Sequence, residues 1–173
     1  MARITYGDER DSEIGALADK IRKERGGKVL NLYKMLLNSP PVAEGWLNLL
    51  TAIRQKAELS GKIRELVILR IAVLNGADYE YKAHIPFALK EGVSQKQIDD
   101  LPHWTISSAF DATERGVLAY TDAMTRDIQV PDAVFAAIKG AFNPREMTEL
   151  TATVAAYNLV SRFLEALQVD HEH

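Results

Sequence analysis

Among its 173 residues the chain has no cysteine. That excludes disulfides, thiolate metal ligands and any reaction that cycles a thiol. It also lacks a long apolar run. Nothing approaches the roughly 20 residues a membrane helix needs, and no basic head precedes an apolar stretch near Met1, so the expected compartment is the cytoplasm, with no membrane partner. Neither sign of charge dominates: 21 basic residues face 24 acidic ones, and they are interspersed. A nucleic-acid partner, which wants a basic patch or stripe, is therefore not expected. No nucleophile elbow, glycine-rich phosphate loop, dinucleotide fingerprint or His-Glu-x-x-His pair occurs.

What is present is helical periodicity. Apolar residues make up 47% of the chain and charged ones 26%, values of an ordinary globular protein long enough to bury one core. Residues 1–11 read as a polar arm, 12–167 as one domain and 168–173 as a C-terminal tail, frayed from Asp170 to His173. Ile14, Leu17, Ala18 and Ile21 recur at steps of three and four, predicting a helix from Ser12 to Arg25 that Gly26-Gly27 ends. Further helices are predicted from Val29 to Leu37, from Pro41 or Val42 to Ile53, from Gly61 or Lys62 to Leu74, and from Ala77 to Glu91. Pro86 should bend the last of these just after His84. Ser94 with Gln97 marks a short capped helix through Leu101, with Pro102-His103-Trp104 as a connector. Helices over Asp111–Arg126, Pro131–Ala141 and Asn143–Leu167 complete an all-α chain. Trp46 and Trp104 read as core or interface residues. Arg64-Glu65 with Leu69 and Val73 is echoed by Arg145-Glu146 with Leu150 and Val154, a weak hint of a duplicated helical unit.

Three polar residues stand out in the central stretch. Glu65 lies in a helix that is apolar on nearly every side, with Ile68, Leu69 and Ala72 on its own face. A carboxylate there needs a partner or a proton, because desolvation disfavours the charged form. The bland expectation is a structural bond to Arg64, Arg70 or a backbone N–H. Glu80 and His84 stand four apart on the next helix and share a face. A solvated intrahelical pair is the plain alternative, although Ala77, Ala83 and Phe87 suit a pocket wall better. A tight Asn75-Gly76 turn permits an αα-hairpin that brings Glu65 towards them. Bound metal is not expected: helical-bundle carboxylate sites place glutamate and histidine three apart, in two copies, and here they are four apart. The tail Asp170-His171-Glu172-His173 could chelate only adventitiously. Asn158 and Ser161 interrupt the apolar stripe of the last helix, for a hydrogen bond to another helix or for contact with a ligand.

Arg64-Glu65-Leu66, Asn75-Gly76-Ala77, Tyr79-Glu80-Tyr81, Ala83-His84, Ala88-Leu89 and Gly92-Val93-Ser94 together resemble the carboxymuconolactone decarboxylase family, which includes the alkylhydroperoxidase-D-like proteins. Tyr157 to Phe163 is similar to the C-terminal helix of many decarboxylase-like members. The resemblance implies a helical bundle of that type. It also implies a homo-oligomer, trimer or hexamer, acting on a small molecule without a cofactor. The family's peroxidase branch carries a Cys-x-x-Cys pair, whose positions fall here on Ala77 and Glu80, so thiol peroxidase activity is not expected. The relay glutamate and histidine fall on Glu65 and His84. The decarboxylase branch implies a glutamate and histidine around the substrate, which makes His84, Glu80 and Glu65 the expected catalytic groups; Tyr79, Asn158 and Ser161 are the candidate substrate-binding residues. The expected reaction is decarboxylation, or a related proton transfer, on a small carboxylated lactone or keto acid. The alternative is a non-catalytic helical oligomer that binds a small acidic or aromatic ligand.

Overall fold

The computed structural model describes residues 1–11 and 14–172; Ser12 and Glu13, where the first helix is expected to begin, and His173 of the tail lie outside them. The described residues contain nine α-helices and no strand. They fall into two compact units, residues 1–56 with 164–173, and residues 57–163.

The first unit holds α1 (Gly15–Glu24), α2 (Asn31–Leu36) and α3 (Pro40–Thr51). Gly26 and Gly27 follow α1 at φ of +74° and +90°, the left-handed conformation that only glycine adopts without strain. Pro40 opens α3, where its missing N–H costs nothing. After α3 the chain widens into a single π-helical turn, Ala52–Lys56, which the periodicity does not reveal. Ala18, Ile21, Tyr33, Leu36 and Leu47 are buried in this unit. The Tyr33 hydroxyl accepts from Arg25 Nε at 2.8 Å, and burial pushes its pKa up. The expected frayed tail is instead fastened. Asp170 accepts from the Tyr6 hydroxyl at 2.9 Å and the Ala2 N–H at 3.2 Å, and Asn31 Nδ2 donates to the Asp170 and His171 carbonyls. A terminus gains order wherever its polar groups find partners, and the sequence position of those partners, more than 130 residues away, hides them from local inspection.

The second unit is built on α4 (Gly61–Asn75) and α5 (Asp78–Lys90). Ser60 caps α4 by accepting from the Ile63 N–H at 3.2 Å, and Gly76 ends it at φ +64°. Ile63, Leu66, Val67, Ile68, Leu69, Ile71 and Ala72 are all buried, so α4 is the central helix its composition predicts, packed on α5 and on α7 (Ala112–Arg126). Leu66 and Leu69 join Ala88, Val93, Ile98, Leu101, Trp104, Phe110 and Leu118 in one cluster. Each large aliphatic side chain so buried contributes about 2 kcal/mol before entropy is counted. Helix α5 continues through Pro86 to Lys90.

The short α6 (Gln95–Asp100) leads into a 3₁₀ turn, Leu101–Ile106, where a connector is expected. Arg70 is buried in α4 and grips Asp122 of α7 with two bonds, at 2.6 and 2.7 Å, while donating to the Leu101 carbonyl at 2.9 Å. Both α6 and α7 carry complete capping boxes, Ser94 with Gln97 and Asp111 with Glu114. Gln97 Nε2 donates to Glu114 at 2.9 Å, tying one box to the other. Helix α8 (Asp132–Ile138) follows, and α9 (Pro144–Leu167) begins at Asn143 and Glu146, which bond each other's backbone N–H reciprocally, as the sequence predicts.

Candidate active site

Burial decides first. Glu65 is 1% exposed, Glu80 2% and His84 7%, so the plain alternative of a solvated pair on α5 does not describe these side chains. The helical hairpin at Gly76 folds α5 back along α4. As a result His84 Nδ1 lies 2.7 Å from Glu65 Oε2, a bond between residues 19 apart in sequence. The second carboxylate oxygen of Glu65, Oε1, accepts from Arg64 Nε at 3.2 Å. Arg64 in turn places its guanidinium 3.7 Å from Glu91, the C-cap residue of α5.

An imidazole whose Nδ1 is held by a carboxylate is fixed in orientation, and its neutral form keeps the proton on Nδ1. Proton exchange with another molecule then runs through Nε2. A buried carboxylate beside the ring also stabilises the imidazolium that forms when Nε2 takes a proton.

The walls are aromatic. The Tyr157 ring of α9 stands edge-on to His84 with centroids 5.3 Å apart, and the Phe87 ring is tilted at 5.8 Å. Tyr157, buried at 1% exposure, and Arg64 belong to the neighbourhood of His84 and Glu65 although neither carries a site role in the sequence reading. Their signal is available but weak. Arg64 is named there only as a structural partner of Glu65, and Tyr157 precedes the polar break in the α9 stripe.

The remaining expected site residues lie as follows. Glu80 sits on α5 one helical turn before His84, and Tyr79 is buried in the first turn of α5. Asn158 and Ser161 are tied into a separate hydrogen-bonded network. Asn75 Nδ2 donates to Asn158 Oδ1 at 3.1 Å and to Ser161 Oγ at 2.6 Å. Asn158 Nδ2 donates to Thr125 Oγ1 at 2.9 Å, and Arg162 reaches Asn158 Oδ1 at 2.5 Å. These bonds join the end of α4 to α7 and α9, and none goes to Glu65 or His84. Among the described residues no three His, Asp or Glu side chains converge as a metal site. No described helix is long and apolar enough to cross a membrane.

A shallow groove of about 440 Å³ lies elsewhere on this unit, lined by Phe135, Met147, Thr148, Thr151, Ala152 and Ala155. Its lining contains no ionisable group.

Residues 40–123 match the model of the carboxymuconolactone decarboxylase family, a span that includes Glu65, Glu80 and His84. The uncharacterized protein YnjA of Escherichia coli K12 is 29% identical over 127 residues, 72% of this chain and 66% of that protein. Among solved structures, a peroxidase-related protein from Silicibacter sp. TM1040 superposes with a TM-score of 0.82 at 17% identity, covering 98% of this chain and 90% of that one. The apo debrominase Bmp8 superposes with a TM-score of 0.83 at 16% identity, covering 98% and 92%. An alkylhydroperoxidase AhpD core protein from Ralstonia eutropha JMP134 gives 0.82 at 15%, covering 99% and 92%. At such identities these likenesses speak for the fold alone, and proteins sharing it carry names as different as peroxidase and debrominase. The match to the carboxymuconolactone decarboxylase family model thus spans just under half of the chain, on an AhpD-like helical fold and in a sequence without a single cysteine.

Proposed function

We propose that this protein transfers protons without a cofactor, decarboxylating a small carboxylated lactone or keto acid, with His84 as the group that exchanges the proton. The observation that carries this reading is the buried 2.7 Å bond between Glu65 and His84 Nδ1. In the reaction the bond between the substrate's carboxylate carbon and its α- or vinylogous carbon breaks and carbon dioxide leaves. The electron pair remains on a dienolate-like carbon, which His84 protonates through Nε2. Glu65 orients the ring and stabilises its charged form, and Glu80, buried one turn away, is the second acid. The sequence offers no sulfur nucleophile, so a thiol peroxidase or thiol-dependent dehalogenating route has no residue to run on.

Tyr79, Asn158 and Ser161 are the proposed substrate-side residues, and a homo-oligomer is the proposed assembly. The apolar groove beside α9, with exposed Phe135 in its lining, and the exposed Leu159 further along α9 support a contact with a second copy. One observation favours a second reading, a ligand-binding oligomer without catalysis: Asn158 and Ser161 already spend their polar atoms on Asn75, Thr125 and Arg162.

The test is a screen of carboxylated lactones and keto acids with detection of released carbon dioxide, repeated with His84→Ala and Glu80→Gln. Each variant should lower turnover by about a hundredfold or more. Saturable binding without product in the native protein selects the second reading, and undiminished turnover in His84→Ala rejects the first.

A further inference from the structure

We infer that Arg64 is the positioning residue of the Glu65–His84 pair and that Glu91, seated over Gly61, partly offsets its charge, so that a chain of alternating charge governs how firmly His84 keeps its proton. This deepens the proton-transfer reading and rests on it for its catalytic consequence.

Consecutive residues on a helix point about 100° apart and do not ordinarily face each other. Arg64 and Glu65 nevertheless bond at 3.2 Å, with the Arg64 side chain only 12% exposed. On its far side the guanidinium faces Glu91, whose Oε1 lies 3.7 Å from the far nitrogen of Arg64. Glu91 can reach that place because residue 61, one turn before Arg64, is glycine. A Cβ on Gly61 would stand 1.8 Å from Glu91 Oε2 and 2.4 Å from its Cδ. Gly61 is also the first residue of α4, so the carboxylate lies at a helix N-terminus, where an anion is favoured. The groups meet in the order Glu91, Arg64, Glu65, His84.

The titratable and charged groups of this chain of contacts are Glu65 and Arg64 from α4 and Glu91, the C-cap residue of α5; Tyr157 of α9 stands against the ring, and Glu80 is buried one turn before His84 on α5. With His84 neutral, Arg64 balances the buried charge of Glu65. Without Arg64 that anion is less compensated, and the pair takes up a proton at higher pH. Without the charge of Glu91 the field of Arg64 on the pair is less offset, and the proton leaves at lower pH. The two ends of the chain thus act in opposite directions, which a purely structural role would not produce.

The experiment follows the ring signals of ¹⁵N-labelled histidine against pH in the whole protein, with His84→Ala used to assign residue 84. The other three histidines serve as internal references. In Arg64→Gln the His84 midpoint should move up. In Glu91→Gln and in Gly61→Ala, which displaces the flexible Glu91 side chain, it should move down and by less, since Glu91 is 39% exposed and screened. An unmoved midpoint in Arg64→Gln, or shifts of one sign in all three variants, overturns the inference. Should Arg64→Gln fail to fold, Glu91→Gln and Gly61→Ala carry the test, and no downward shift in either overturns it. The tautomer in the unaltered protein separates the two levels. A ring with its neutral proton on Nε2 rejects the underlying Glu65–His84 reading, whereas a ring protonated on Nδ1 that ignores Arg64 rejects only the present inference.

Discussion

The same dipeptide occurs twice in the second unit and meets two fates. Arg64-Glu65 and Arg145-Glu146 each stand near the start of an apolar-periodic helix, followed at matching intervals by Leu69 and Val73 or by Leu150 and Val154. In α4 the glutamate is 1% exposed and bonded to an imidazole. In α9 the arginine side chain is 56% exposed and paired with Glu58 and Glu149, while Glu146 reaches back to the Asn143 N–H and completes a cap. One glutamate serves as a proton-relay candidate and the other as a helix start. The pattern within each segment is shared, and only the surroundings differ. α4 is covered by α5 and α7, whereas the first turn of α9 meets solvent. Burial makes a carboxylate costly unless it is paired, and a titratable partner turns that pairing into possible chemistry.

The sharpest way to break this comparison is to neutralise both glutamates. Glu65→Gln should lower turnover by about a hundredfold, while Glu146→Gln, which still fits a capping box, should leave turnover unchanged and alter stability by well under about 1 kcal/mol. Paired kinetic and urea-unfolding measurements decide it, and equal effects on turnover would erase the distinction. Next in size is Asn158→Ala, which removes the hub joining Asn75, Thr125 and Arg162. A structural hub predicts a stability loss of about 1–3 kcal/mol with little change in KM. A KM rise with unchanged stability would instead support the proposed place of Asn158 on the substrate side.

The smallest effect concerns a third carboxylate. Burial tends to raise the Glu149 pKa, but the Leu59 N–H, Arg145 and the Glu58 N–H outweigh it and hold the value below the ordinary 4.5. A lowered folded value means that its stabilisation is complete above the unfolded pKa and fades as pH falls through the folded one. Glu149→Gln should therefore flatten the acid limb of stability below about pH 4.5, measured by thermal unfolding across pH. An acid limb unchanged by the substitution would show that Glu149 contributes nothing there. This carboxylate titrates against donors whose protonation is fixed, which is what separates it from Glu65.

How much of this is legible in the sequence varies with the reach of the interaction. The capping signals at Ser94 with Gln97 and at Asn143 with Glu146, the stop at Gly76 and the all-round apolar α4 are visible because they involve neighbours a few residues apart. The helical character of the chain follows from the same local rules. The π-helical turn at Ala52–Lys56 escapes, since an extra residue in a turn leaves apolar spacing nearly unchanged. The fastening of the tail by Tyr6 and Asn31 escapes as well, because the partners come from the opposite end of the chain.

For the site the division is similar. Glu65, Glu80 and His84 can be picked out by type and spacing, since polar residues on apolar helical faces demand an explanation. That Glu65 is the group on Nδ1, that Arg64 takes its other oxygen, and that Tyr157 walls the ring are matters of how α4, α5 and α9 pack. By itself the amino-acid order determined helices, caps, the absence of thiol chemistry and a short list of suspicious side chains, all set by local periodicity or composition. Which of those side chains meet was decided only in three dimensions, because a hydrogen bond across 19 residues depends on the angle at which two helices leave a single left-handed glycine.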